Sequence, residues 1–250
     1  MLVSGAARGI GAAVVRRFAA DGWRVGAYDV DEDGVRRLAA ELDGVVAGGL
    51  DVTCPDSWQA AVAAFTQEAG PLDVLVNNAG LLTTGPLAEV PLARQAAVVD
   101  VNVKGVLYGC ATALPHLRRG GCVVNVSSAS ALYGQPDLAT YSATKAAVSA
   151  LTEALDLEWR PHGVRVVDVR PLFVGTAMGE QVAGLASARA LGVRLTPDGV
   201  ARAVHAAALV PGRRGAAPHR AVGWQARLLS ASSAVTPPRL SRLLVARLAR

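Results

Sequence analysis

The order of apolar runs predicts an α/β fold, with a parallel sheet covered by helices on both faces. Three observations carry the prediction. Short β-rich runs alternate with stretches of helical spacing. The central runs are continuously apolar, as strands buried on both sides must be. A glycine-rich turn follows directly on the first run. The runs are Met1–Ser4, Arg24–Tyr28, Val45–Asp51, Asp73–Val76, Cys122–Ser127 and Val164–Val169. Helical spacing covers Ile10–Ala20, Trp58–Glu68 and Ala139–Trp159.

Composition narrows the class. With 52% hydrophobic and 18% charged residues, the 250-residue chain has material for a large core and is not of disordered type. No 18 consecutive residues are apolar, which argues against a transmembrane helix. The glycine motif begins so early that no signal peptide is expected before it. Cys54, Cys110 and Cys122 are odd in number and lack CxxC spacing, so neither a disulfide framework nor a metal site is expected, and a cytoplasmic location is. The net charge of +5 conceals an asymmetry: nine arginines and no carboxylate lie in residues 199–250, after the last acid, Asp198. The body is mildly acidic and the tail basic. Only two of the 25 basic residues are lysines, Lys104 and Lys145. An ammonium differs from a guanidinium in being compact and in losing its proton readily when buried.

Ser4-Gly5-Ala6-Ala7-Arg8-Gly9-Ile10-Gly11 joins the first run to a helix. Such a turn lets backbone approach a pyrophosphate, with the helix N-terminus supplying N–H groups. The spacing is G-x3-G-x-G and not the common dinucleotide fingerprint, so an ordinary strand–helix turn is the plain alternative. Asp29 ends the second run 18 residues after Gly11, near the offset of a carboxylate that holds ribose hydroxyls. Its charge repels a 2′-phosphate and favours NAD, with Asp31, Glu32 and Asp33 adding to it, while Arg8 argues for NADP. Tyr141 and Lys145 are spaced i, i+4 on one helix face, where the ammonium is expected to lower the phenol pKa toward neutrality.

Taken in order, these motifs resemble the short-chain dehydrogenase/reductase family over roughly residues 1–200. The first glycine turn is similar to TGxxxGIG, with Ser4 for Thr; Asp51-Val52 resembles the adenine-contacting pair; Asn77-Asn78-Ala79-Gly80 is the family's NNAG. Asn102 matches the catalytic Asn, Ser128 lies 13 residues before Tyr141 as the catalytic Ser does, and Tyr141 and Lys145 complete the tetrad. Ser127 is the competing assignment for Ser128. The resemblance implies a single doubly wound Rossmann-type domain of about seven strands over residues 1–211, with residues 212–250 an arginine-rich extension. It implies hydride exchange between NAD, or else NADP, and a secondary alcohol or ketone. Ser4, Gly5, Arg8, Gly9, Ile10, Gly11, Asp29, Asp51, Val52, Asn78, Ala79, Gly80, Tyr141, Lys145, Pro171, Val174 and Thr176 would bind the cofactor. Ser128 would bind the substrate oxygen, Tyr141 exchange its proton, Lys145 hold the ribose, and Asn102 bind a water linking Lys145 to solvent. A catalytically silent dinucleotide-binding sensor or scaffold is the rival reading, and the intact tetrad speaks against it.

Three departures from the family stand out. The first strand is short, Leu172 replaces the glycine after Pro171, and the C-terminus carries arginines in place of a short strand and glycine pair. By family analogy Leu81, Leu82, Ala131, Leu132, Tyr133, Leu172, Phe173 and Met178 line an apolar substrate pocket. The four histidines, His116, His162, His205 and His219, show no catalytic spacing and are read as loop or surface residues. A homodimer or homotetramer is expected through the helices bearing Asn102 and Tyr141, with Ala146–Leu157 suited to close packing. After Pro237-Pro238, four leucines of residues 240–248 fall in an arc of about 140°. That basic amphipathic stretch is weighed as a peripheral membrane contact, but packing on the body or a neighbouring subunit is favoured because Arg247 falls inside the arc. No nucleic-acid partner is expected: Trp224 is the only aromatic residue after Asp198.

Overall fold

A computed structural model of the chain describes residues 1–210, 217–237, 239 and 246. Its strands are β1 (Leu2–Ser4), β2 (Val25–Asp29), β3 (Val45–Gly49), β4 (Leu72–Asn77), β5 (Leu117–Val126), β6 (Arg165–Pro171) and β7 (His219–Val222). The helices are α1 (Gly9–Ala20), α2 (Glu32–Ala40), α3 (Pro55–Ala69), α4 (Leu92–Val99), α5 (Gly105–Ala113), α6 (Ala139–Glu158), α7 (Ala177–Val182), α8 (Ala186–Leu191), α9 (Pro197–Leu209) and α10 (Trp224–Val235). The strands form one seven-stranded sheet in the order β3-β2-β1-β4-β5-β6-β7, every pair parallel. Strand order reverses between β1 and β4, which opens a crevice at their carboxyl ends, where ligands bind in doubly wound sheets.

The period of two along each strand divides the core. Val3, Ala27, Val76, Val124 and Val169 face α1 and α9, where they meet Val14, Val15, Phe18, Val200 and Val204. Leu2, Tyr28, Leu75, Val123 and Val166 face the other layer, with Trp58, Phe65, Val106, Cys110 and Val148 of α3, α5 and α6. Burying a side chain such as Phe18 contributes about 1.5–3 kcal/mol each, and Phe18, Trp58 and Phe65 are all but closed to solvent. The shortness of β1 is offset by its central place. Leu2 pairs with Gly26 on one side and Leu75 on the other, and both Leu2 and Val3 are fully buried.

Two expectations are corrected. The sheet does not stop at residue 211: β7 lies beyond it and pairs with β6, so the domain extends through the start of the segment read as an extension. The short final strand thought to be missing is therefore present. The continuous helical stretch Leu92–His116 is long and apolar enough to cross a membrane. Val98, Asn102, Val106 and Cys110 bury one side of it against the body. The loop at Pro211–Gly215 lies outside the described residues. So does the amphipathic tail, of which only Arg239 and Ala246 are described.

Candidate active site

The glycine turn is shaped by backbone. Gly5 and Gly9 have φ of +66° and +59°, a region that favours glycine. A Cβ on Gly5 would lie 2.6 Å from Ala79 Cα, and one on Gly11 2.0 Å from Gly5 O. The Asn78 side chain donates to Ser4 O at 3.1 Å and Gly5 O at 2.8 Å, while Ser4 Oγ accepts from the Asn78 and Ala79 amides. Ser4 and Asn78 thus lock the β1 turn to the β4 turn. Asp29 Oδ2 accepts from Ala7 N at 3.0 Å and Oδ1 from Asp31 N at 3.0 Å, so this carboxylate also fixes the turn. Each oxygen keeps a second lone pair for a hydroxyl donor. Arg8 is exposed beside the turn, and Ile10 is partly buried in the first turn of α1. These residues fit a dinucleotide: the turn brings bare backbone to the N-terminus of a 12-residue helix, and a carboxylate stands beside it.

The remaining expected cofactor positions lie on the turn after β3, at the end of β6 and on the turn after it. Asp51 Oδ1 accepts from Thr53 N and Oγ1, tying down the turn after β3. The Val52 side chain packs toward Gly105, where a Cβ would lie 2.9 Å from Val52 Cγ2, and its carbonyl accepts from Trp58 Nε1 at 3.1 Å. Pro171 ends β6, Val174 bridges to Leu195, and Thr176 caps α7 by accepting from Gly179 N at 3.1 Å. Thr176 lies opposite Gly9, 3.5 Å from where a Cβ would stand. The acids after Asp29 have a local use as well. Asp31 caps α2 through Gly34 N, and Glu32 pairs with Arg36.

The four expected catalytic residues come together at the ends of β4 and β5 and on α6. Lys145, 5% exposed, donates from Nζ to Val126 O at 2.8 Å and lies 5.6 Å from the Tyr141 ring centroid. Ser128, beyond β5, lies near enough to the Tyr141 phenol to oppose the rise in its pKa, and its Oγ accepts from Ser130 N. Ser127 points the other way, donating to Lys145 O and sharing a bond with Ser149 Oγ, so geometry separates the two serines. Asn102 is fully buried in a single π-turn, Asp100–Lys104, between α4 and α5. Its amide donates to Leu81 O and Thr144 Oγ1 and accepts from Leu81 N, so its side chain holds the loop after β4 against α6. Gly80 keeps this junction narrow: a Cβ there would lie 3.4 Å from Asn102 Oδ1 and 3.8 Å from Lys145 Nζ.

The electrostatics differ from the sequence expectation. Burial raises the Tyr141 phenol above its ordinary value, with Ser128 opposing the shift. Burial pushes the Lys145 ammonium down to about 8, with the Asp168 carboxylate working against it. Desolvation therefore outweighs the lowering expected of Tyr141 from its helical neighbour. The cause is the cover over the site. Tyr141 packs against an apolar cluster of Leu138, Phe173, Val182 and Ala188, which Leu82, Leu172, Leu185 and Leu191 also join. Gln135 ties that cover down through Ser187 Oγ. Of the expected pocket lining, Leu82, Leu172 and Phe173 reach this cluster, and Leu81 is exposed. On the far side, Leu172 and Phe173 border a cavity of about 180 Å³ that reaches Arg194 and Trp224.

Sequence reasoning missed a second buried polar group. His219 is not a loop or surface residue: it lies on β7 with Nδ1 2.8 Å from Asp168 Oδ2 and Nε2 2.6 Å from Glu153 Oε1. Burial draws its pKa down, but the bonds to Asp168 and Glu153 outweigh this and hold it above the ordinary value. His205 is not a loop residue either; it lies on α9 against Phe18 and 2.7 Å from Asp21. The signal available in the sequence was Asp168 itself, one acid within the apolar run Val164–Val169.

The doubly wound sheet with a nucleotide-type glycine turn and a Tyr–Lys helix defines a class, and comparison with known proteins gives it a name. The family model described as short chain dehydrogenase matches residues 1–184, and the chain belongs to that oxidoreductase family. It is 40% identical over 185 residues to a 3-alpha-(or 20-beta)-hydroxysteroid dehydrogenase of Mycobacterium tuberculosis, covering 72% of this chain and 71% of the relative. An L-fucose dehydrogenase of Mus musculus is 40% identical over 189 residues, covering 75% and 69%. Among solved structures, a 3-ketoacyl-(acyl-carrier-protein) reductase from Brucella melitensis complexed with NADH superposes with a TM-score of 0.80 at 30% identity. It covers 88% of this chain and 94% of that one.

Proposed function

We propose that this protein transfers hydride between a nicotinamide cofactor and a secondary alcohol or its ketone. The observation that carries the reading is the convergence of Tyr141, Ser128 and Lys145 beside the glycine turn. A bound nicotinamide supplies or accepts the hydride. Tyr141 gives or takes the hydroxyl proton, Ser128 donates to the substrate oxygen, and Lys145 reaches the ribose hydroxyls. Asn102 acts by holding the Leu81 loop against α6, a role its three side-chain bonds support over that of a water ligand. The apolar cover of Leu82, Leu172 and Phe173 supports an apolar, uncharged substrate. Its test is turnover on a panel of cyclic and steroid alcohols and ketones, followed at the nicotinamide absorbance. NADH binding without turnover of any panel member would favour a silent dinucleotide-binding protein.

NAD is the preferred cofactor in this reading, because Asp29 stands at the end of β2 beside the turn. Asp29→Ala is expected to lower the NAD/NADP ratio of kcat/KM at least tenfold. A wild-type preference for NADP would assign the choice to Arg8, and an unchanged ratio would remove Asp29 from the ribose.

The working form is a homo-oligomer in the cytoplasm. Ala143, Ala146, Ala147, Ala150, Ala154 and Leu157 form an exposed, mostly apolar stripe on α6 at helical spacing, and Leu107 is exposed on α5. Small side chains there allow a second copy of the helix to approach closely. Light scattering is expected to give a multiple of 25.6 kDa; the single-chain mass at micromolar concentration would refute it.

A further inference from the structure

We propose that Asp168 is a positioning residue for Lys145: through Ser149 it anchors the turn of α6 that follows the lysine, and it places a buried carboxylate on β6 opposite Asn125, next to the Val126 carbonyl that holds the ammonium. The inference rests on the proposed role of Lys145 at the ribose.

The geometry begins in the sheet. Strand register aligns Asn77, Asn125, Asp168 and His219 in one row across β4, β5, β6 and β7. Thr152, Ser149 and Glu153 of α6 meet that row. Asn125 Nδ2 donates to Thr152 Oγ1 at 2.9 Å, Ser149 Oγ to Asp168 Oδ2 at 3.0 Å, and His219 reaches Glu153. Ser127 Oγ lies within hydrogen-bond distance of both Ser149 Oγ and Lys145 O, and while Ser149 donates to Asp168 the one Ser127 hydrogen serves one of the two at a time. Asp168 is completely buried and, among the described residues, is the only buried carboxylate.

Two basic side chains flank Asp168, and its Oδ1 accepts no hydrogen bond among the described residues. Arg170 Nε of β6 is 3.2 Å from Oδ1, and His219 Nδ1 of β7 is 2.8 Å from Oδ2. Both ring nitrogens of His219 face carboxylates, and only the imidazolium can donate to both. Glu153 is the exposed end of this chain, 61% open to solvent. Around Lys145 itself stand Tyr141 of α6, Asn102 of the π-turn and the Val126 carbonyl of β5. None of these carries a negative charge while Tyr141 holds its proton, so Asp168 is the buried anion that opposes the desolvation of Lys145.

The chain's lysine count makes a direct test available, since Lys104 and Lys145 are its only lysines. In full-length protein labelled with 13C at lysine Cε, the two signals are titrated by NMR, with Lys104→Arg assigning them. Asp168→Asn is expected to move the Lys145 midpoint down by about one pH unit, because it removes the favourable charge. Arg170→Gln leaves that charge less compensated and is expected to move it up. A shared upward move in both variants would mean that the site has merely opened to water, and would overturn the proposal. So would midpoints unchanged in both. If Asp168→Asn does not fold, Arg170→Gln decides alone, with no upward move counting as refutation. The alkaline limb of kcat/KM should follow the same opposite shifts, whereas a purely structural role would lower kcat at every pH alike. The titration needs no cofactor, so opposite shifts in a protein that fails to bind NADH would uphold the coupling and sink the functional reading instead.

Discussion

Tyr141→Phe is expected to lower kcat by about 10²–10⁴-fold, the range for losing a positioned general acid or base, while the NADH dissociation constant stays within about twofold of wild type. Only the phenolic oxygen is removed. The ring remains packed against the cluster of Leu138, Phe173, Val182 and Ala188, so the cover of α7–α8 keeps its core. Burial raises the Tyr141 pKa, so the group holds its proton at neutral pH and is ready to donate to a ketone oxygen. Ser128 lies near the same hydroxyl and cannot replace it, because a serine hydroxyl is too weak an acid for the transfer. Steady-state turnover and a fluorescence titration of NADH on the same sample measure both quantities. Retention of more than about a tenth of wild-type kcat would take Tyr141 out of the proton step.

That Ser128, Tyr141 and Lys145 lie near one another was legible from spacing within short segments: Tyr141 and Lys145 share one helix face, and Ser128 lies shortly before them. The glycine turn was legible because positive φ and close approach at Gly5 and Gly9 demand that residue type. What could not be read depends on distant segments. Asp168 and His219 are 51 residues apart and meet only through the register of β6 and β7. The strand β7 is four residues with a histidine and an arginine, too short and polar to be distinguished from a loop. The direction of the Tyr141 shift was misjudged for a related reason. Spacing reports the ammonium nearby, but not the cover of Val182, Leu185, Ala188 and Leu191 that desolvates the phenol.

Gly11→Ala sets two effects against each other. Alanine favours a helix interior by about 1 kcal/mol over glycine, and Gly11 lies inside α1 with no positive φ. Propensity alone therefore predicts a gain. Its Cβ, however, would stand 2.0 Å from Gly5 O and 2.7 Å from Asn78 Nδ2. Neither neighbour can yield cheaply. Gly5 O belongs to the turn backbone, and Asn78 is held by its two bonds to Ser4 O and Gly5 O. Overpacking costs about 1–3 kcal/mol, and a 2.0 Å approach to backbone falls at the upper end, so a net loss of about 2 kcal/mol remains and the variant is expected to melt about 4–8 °C lower. The larger effect falls on the cofactor. Relief of the clash requires the turn and the N-terminus of α1 to separate, which withdraws the N–H groups from a pyrophosphate. NADH affinity is expected to fall at least about 100-fold, or some 2.7 kcal/mol. Gly184→Ala serves as the control, since a Cβ there meets nothing within 4 Å, and it should leave both readouts unchanged. Calorimetric titration and thermal melts without cofactor separate the two losses. Wild-type NADH affinity in Gly11→Ala would show that the turn does not carry the pyrophosphate, whatever the melting temperature does.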